Sequence, residues 1–311
     1  MGMSDFYGAA DEAESRATIR AAIDAGVNLL DTGDFYGMGH NELLIARALE
    51  GVPRDRVFLQ VKFWALRDPG GGWVGFESRP AHVRNFLAQT LRKLRTDYVD
   101  VYQPSRVDPQ VPIEDVVGTI GELVKAGWVR YVGLSEAGAD TLRRASKVHP
   151  VAQLQIEYSL MSRSPERSVL PACRELGIGV TAYGVLSRGL LGGSIGAGGP
   201  DKPRDGRGRF PRFQGENLQK NLALVEALRA VAAERGATPA QLAIAWVLSR
   251  GEDVVPLVGA RRRDQLADAL RAAELRLTAE ELARIEAAVP AEAVACARYD
   301  PHGMGMLDSE R

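Results

Sequence analysis

The stretch VNLLDTGDFYGMGHNELLIARAL, residues 27–49, decides the fold. Val27, Leu29 and Leu30 form a short apolar run suited to a buried strand. Asp31 ends that run, Tyr36 follows in a Gly-bearing loop, and residues 41–49 have helical spacing. A carboxylate and a phenol just past the C-terminal end of a strand occupy the place where α/β barrels carry their chemistry. The Asp-x-x-x-x-Tyr spacing is weak by itself, so the case rests on what surrounds it.

Outward from this stretch the same alternation runs through the chain. A helix over 12–25, closed by Gly26, precedes it. Strands are expected over 57–63, 98–104, 128–135, 153–159, 179–185 and 254–260. Helices are expected over 81–95, 113–126, 140–147, 165–176, 218–234, 239–249, 264–272 and 279–288. Largely apolar strands alternating with helices imply a parallel sheet covered by helices. That makes seven strands, whereas a (β/α)8 TIM barrel has eight; the expectation is that the one lacking would be the first, just before Met1. A doubly wound sheet is the competing α/β architecture, but no G-x-G-x-x-G follows the first strand. The expectation is one barrel domain over 1–311, with a long loop at 187–216 and a loosely ordered tail at 291–311. An unclosed barrel leaves strand edges that invite association, so both a monomer and a homo-oligomer stay open.

Composition narrows the functional classes. The 311 residues are 45% hydrophobic and 25% charged, with a formal net charge of −1. These are ordinary globular values. They offer no electrostatic reason to expect nucleic acid or a membrane as partner. Cys173 and Cys296 have no metal or disulfide spacing, and the four histidines are scattered, so no metal site is expected. Without a signal peptide or long apolar run, a reduced cytoplasm is the expected location.

Several co-linear segments resemble the aldo-keto reductase superfamily: DTGDFYG (31–37), VFLQVK (57–62), YVDVYQPSRVDP (98–109), VRYVGLSE (129–136) and QLQIEYSL (153–160). AYGVLSRGLL (182–191), RFPRFQGENLQKN (209–221) and PLVGARRRDQL (256–266) continue the series. The likeness is greatest to the bacterial and plant branch that reduces aldehydes and ketones with NADPH. It implies Tyr36 as proton donor, Lys62 as the ammonium that would acidify its phenol, and Asp31 as the partner of Lys62. The fourth family position is a His; Ser105 stands there, with one hydroxyl on a much shorter side chain.

For NADPH, the resemblance implies that Ser135 and Gln155, with Glu136 beside them, hold the carboxamide. It places Tyr183 on the nicotinamide ring, and Leu186, Arg188 and Gly189 at the start of a loop covering the pyrophosphate. Arg261, Gln265 and Asp268 match the pocket for adenosine and its 2′-phosphate, although Ala269 replaces the usual adenine-binding Asn. Trp64 and Trp73, with Phe76, are the candidate lining for a small-molecule carbonyl substrate.

The expected activity is therefore NADPH-dependent reduction of an aldehyde or ketone, impaired or redirected by Ser105. Two alternatives stay open: an NADPH-binding module with little turnover, and a redox-neutral isomerase or dehydratase using Tyr36 and Lys62 as acid and base.

Overall fold

The decisive stretch folds into strand β1 (Leu29–Gly33) and helix α2 (His40–Ala48), preceded by helix α1 (Glu12–Asp24). The computed structural model describes residues 1–193, 195–200 and 205–311. Beyond α2 come β2 (Phe58–Phe63), β3 (Ala65–Arg67), β4 (Trp73–Phe76), α3 (Pro80–Leu94), β5 (Val99–Pro104) and α4 (Ile113–Lys125). Then follow β6 (Val129–Ser135), α5 (Ala139–Val148), β7 (Val151–Glu157), α6 (Val169–Leu176) and β8 (Gly179–Tyr183). After the long loop come α7 (Gly215–Glu234), α8 (Pro239–Leu248), β9 (Val254–Pro256), α9 (Arg263–Arg271), α10 (Ala279–Ala288) and α11 (Pro301–Gly305).

All seven expected strands form, and they pair in parallel in the order β1-β2-β5-β6-β7-β8-β9. Helices cover the outer face, where Leu59, Val61, Leu134, Leu154 and Ile156 are fully buried. The inner face is more polar than near-continuous apolar strands would give. Gln153, Gln155 and Glu157 alternate with Leu154 and Ile156 along β7, as period-2 geometry requires. Gln153 donates to Gln103 at 2.7 Å, and Thr181 donates to Gln153. Gly133 is required there, since a Cβ would lie 2.6 Å from Val101 and 2.7 Å from the Gln103 amide oxygen.

Among the described residues β1 pairs only with β2, and β9 only with β8, so the strand ladder does not close. The helical ring does close: α1 packs on α9, where the Arg263 backbone N–H and guanidinium both bond Glu14. Residues 2–8 cross the same gap. Arg261 donates to the Tyr7 carbonyl at 2.7 Å, and Tyr7 makes an isolated bridge with Asp205.

Three elements depart from expectation. The Gly-rich segment after β2 is a hairpin, β3 pairing antiparallel with β4, because Asp68 closes its turn on the Gly72 N–H. The loop expected over 187–216 contains short 3-10 turns at Ser187–Gly189, Gly206–Arg209 and Pro211–Phe213, and α7 takes over at Gly215; Ser194 and residues 201–204 lie outside the described residues. The segment from residue 291 is not a loose tail. It carries α11 and buries Arg298 against the strand ends.

Candidate active site

Parallel pairing brings the candidate side chains to one end of the sheet. Asp31 is in register with Gln60, and Lys62 with both Gly33 and Gln103, so β1 and β2 present Asp31 and Lys62 on the same inner face. The Lys62 ammonium lies 2.6 and 2.5 Å from the two Asp31 oxygens, both side chains being nearly buried. Gln155 from β7 donates to the same carboxylate at 2.7 Å, and Gln60 at 3.1 Å. Asp31 is thereby held by three side chains from two other strands, β2 and β7.

Tyr36 sits in the loop after β1, with the Lys62 ammonium 5.1 Å from its ring centroid. Burial, and after it the Asp31 carboxylate, pushes its phenol well above the ordinary tyrosine range, with Arg106 opposing. Burial is the largest cause of that rise, and the Lys62 ammonium beside the ring is hydrogen-bonded to Asp31. Burial also lowers the Lys62 pKa, against the pull of Asp31.

Ser105 is buried directly after β5, its N–H bonded to the Phe63 carbonyl at 2.8 Å. The longer group at this strand end is Arg106, whose guanidinium donates to the Ser105 carbonyl at 2.6 Å and the Tyr299 hydroxyl at 3.2 Å.

The residues matched to a nicotinamide cofactor divide into two sets. Ser135, at the end of β6, has a buried hydroxyl without a hydrogen-bond partner, in register with Gln155. Tyr183 ends β8 and donates to Glu136 at 2.7 Å. Leu186 and Gly189 frame the 3-10 turn after β8, with the Gly189 N–H bonded to the Leu186 carbonyl. Arg188 turns inward: it pairs with Glu157 at 3.3 Å and stacks 4.0 Å from the Phe210 centroid.

At the other end of the matched pocket, the Gln265 side chain accepts from the Arg261 N–H at 3.0 Å, while the Arg261 guanidinium is spent on the Tyr7 and Ala9 carbonyls. Asp268 faces α8, accepting from Gln241 at 2.7 Å and from Thr238. Its contacts there are those of a helix–helix joint.

The two candidate lining tryptophans belong to the hairpin, Trp64 directly before β3 and Trp73 at the start of β4. Trp64 stacks on Phe76 with centroids 3.6 Å apart, and its buried indole N–H has no partner. Trp73 is exposed on the hairpin, 5.9 Å from Phe35, which itself packs edge-on against Tyr36.

The sequence reading missed the final segment entirely. Arg298 holds Glu136 with bonds of 2.8 and 2.7 Å and also bonds Glu310 at 2.8 Å. Tyr299 places its hydroxyl 3.4 Å from that of Tyr183. An Arg-Tyr pair in a polar C-terminal stretch carries no sequence signal of its own, because only the fold brings it to the strand ends.

Comparison with known proteins identifies the family and the fold. The profile of the aldo/keto reductase family matches residues 1–290. A probable aldo-keto reductase 1 of Glycine max is 40% identical over 300 residues, covering 96% of this chain and 86% of its own length. The structure of a glycerol dehydrogenase from Gluconobacter oxydans superposes with a TM-score of 0.85 at 30% identity, covering 96% of this chain and 92% of that one. An aldo-keto reductase from Klebsiella pneumoniae, solved with NADPH, superposes with a TM-score of 0.70 at 27% identity, covering 90% of this chain and 86% of that one.

Proposed function

Starting from the fact that the chain belongs to the aldo/keto reductase family, we propose that it reduces an aldehyde or ketone to the alcohol with NADPH, Tyr36 supplying the proton. The observation that carries this reading is the nearly buried Lys62–Asp31 pair beside Tyr36 at the C-terminal ends of the strands, where such barrels do their chemistry.

The residues present suit the cofactor. The orphaned, buried Ser135 hydroxyl, in register with Gln155, is a group that a carboxamide would satisfy. Tyr183 would lie against the ring, and Leu186 and Gly189 would border the phosphates. Arg261 and Gln265 would bound the adenosine end, and Asp268 would act from behind through α8. When bound, NADPH supplies the hydride. Tyr36 stays a phenol at neutral pH because burial raises its pKa, so it holds a proton ready for a developing alkoxide. Lys62, fixed by Asp31, is placed to stabilise the phenolate left behind. Trp64 and Trp73 would guide an apolar or ring-bearing carbonyl. Ser105 contributes a short hydroxyl where the family expects an imidazole, and this weakens polarisation of the carbonyl. The two free cysteines fit the cytoplasmic location that is part of this proposal. Among the described residues no helix is long and apolar enough to cross a membrane.

The test follows NADPH oxidation with an aromatic aldehyde. Tyr36→Phe is expected to lower turnover by about 10²–10⁴, the usual range for a lost general acid. Unchanged turnover in Tyr36→Phe would sink the proposal. The Ser105 position also favours a second reading, a barrel that binds NADPH with little turnover; it would take over if nucleotide binds and no carbonyl in a broad panel is reduced.

A further inference from the structure

Five cationic side chains converge at the strand ends, and four of them have an anionic partner. Lys62 is held by Asp31, Arg188 pairs with Glu157 at 3.3 Å, and Arg212 lies 3.8 Å from the same carboxylate. Arg298 is held by Glu136, Glu157 and Glu310. The fifth is Arg106. Its partners are neutral, the Ser105 carbonyl and the Tyr299 hydroxyl, and among the described residues it forms no ion pair. A partly buried guanidinium that keeps only neutral partners retains the capacity to bind a carboxylate through two parallel bonds.

Its position makes that capacity relevant. Arg106 follows Ser105 at the end of β5, next to the strand that carries Lys62. The hydroxyl it bonds, Tyr299, is 3.4 Å from the hydroxyl of Tyr183 at the end of β8. The guanidinium therefore lies within the ring of groups that encloses the site, and it leaves that ring with one positive charge in excess. Such a charge raises the local concentration of anions and fixes their orientation.

We propose that Arg106 anchors the substrate, and that the preferred substrates are aldehydes or ketones bearing a carboxylate. This rests on the reductase reading above. The carboxylate docks on the Arg106 fork, displacing or sharing the Tyr299 hydroxyl, and passes through the reaction unchanged. The hydride adds to the carbonyl carbon, and the proton of Tyr36 goes to the carbonyl oxygen. Binding energy at Arg106 then supplies the orientation that the missing imidazole would otherwise help to provide.

The test compares 4-formylbenzoate with its methyl ester as substrates for NADPH oxidation. Separately, calorimetry measures binding to the same protein of 4-methylbenzoate, which has no carbonyl to reduce. The wild-type protein is expected to favour the acid in kcat/KM. Arg106→Gln is expected to lower the acid-to-ester ratio about 10- to 100-fold, mostly through KM, and to abolish 4-methylbenzoate binding. Should Arg106→Gln fail to fold, Arg106→Lys keeps the charge but loses the fork, and is expected to raise KM for the acid about tenfold.

An acid-to-ester ratio that is the same in wild type and variants, or 4-methylbenzoate binding that ignores the substitution, overturns the anchor. If neither aldehyde is reduced but 4-methylbenzoate still binds through Arg106, the anion site stands and the reductase reading falls. If only the ester is reduced, the reductase reading stands and the anchor falls.

Discussion

Arg298 lies 162 residues beyond Glu136, yet its guanidinium holds that carboxylate in a two-bond clamp of 2.8 and 2.7 Å. Tyr183 and Ser309 donate to the same carboxylate at 2.7 and 2.6 Å. The clamp joins the end of β6, the end of β8 and the last turn of the chain in one buried network. It also holds Glu136 at a φ of +54°, a left-handed conformation that a side chain of this kind seldom adopts unaided.

The clamp makes stability depend on acid. Burial alone would raise the Glu136 pKa, but the facing Arg298 outweighs it and holds the carboxyl down at about 2. The folded state thus binds a proton less readily than the unfolded chain. The contribution of Glu136 is complete above about 4.5 and is lost as pH falls from there towards 2. Arg298→Ala leaves a buried carboxylate unpaired and is expected to cost about 3–5 kcal/mol. Pairing Arg298→Met with Glu136→Gln should recover the part of that loss due to Glu136, while Glu157 and Glu310 still lack Arg298. Urea midpoints at neutral pH for the single and double variants decide the matter.

Ser105→His restores a donor that can reach a carbonyl oxygen. NADPH oxidation with an aromatic aldehyde is expected to rise about 10², the size of one oxyanion-type donor. No gain would mean that polarisation is already supplied by another group at the strand end.

Asp34 predicts the opposite pH behaviour to Glu136. Its carboxyl has a buried oxygen without a partner, and burial, followed by the nearby Glu42, pushes its pKa up to about 8. Between 3.8 and about 8 the folded state holds the proton more tightly than the unfolded chain, so stability falls as pH rises through that window. Asp34→Asn removes this effect. Its thermal midpoint should exceed that of the wild type clearly at pH 8 and little at pH 4.

Trp73→Ala separates substrate contact from folding. The side chain is 54% exposed, so its loss is expected to change stability by no more than about 0.5 kcal/mol. If Trp73 lines the approach to Tyr36, KM for an aromatic aldehyde rises several-fold with kcat nearly constant, the mark of a contact made equally in ground and transition states. A KM that does not move places Trp73 outside the substrate path.

Much of the barrel was legible because its signals are local. Apolar runs ending in polar residues located all seven parallel strands, and a strand's C-terminal end is where Asp31, Lys62, Ser135 and Tyr183 were sought. The hairpin of β3 and β4 was not legible, since DPGGGWVGF resembles an open loop until Asp68 closes its turn. Asp268 matched a motif, but helix packing turns it onto α8, and no spacing rule reports the direction of a side chain. Arg188 likewise faces Glu157 rather than outward.

By itself the sequence determined the alternation of strands and helices, the order of the parallel sheet, and the set of polar residues delivered to one end of it. Those follow from period and register, which depend on neighbours a few residues apart. Only the tertiary structure decided the charge balance of the site. Whether Lys62 is spent on Asp31, whether Glu136 has a counter-ion, and whether Arg106 lacks one among the described residues depend on groups far apart in the chain. Coulomb interactions and desolvation act through space, and residues 298–310 enter that balance only because the chain folds back across the strand ends.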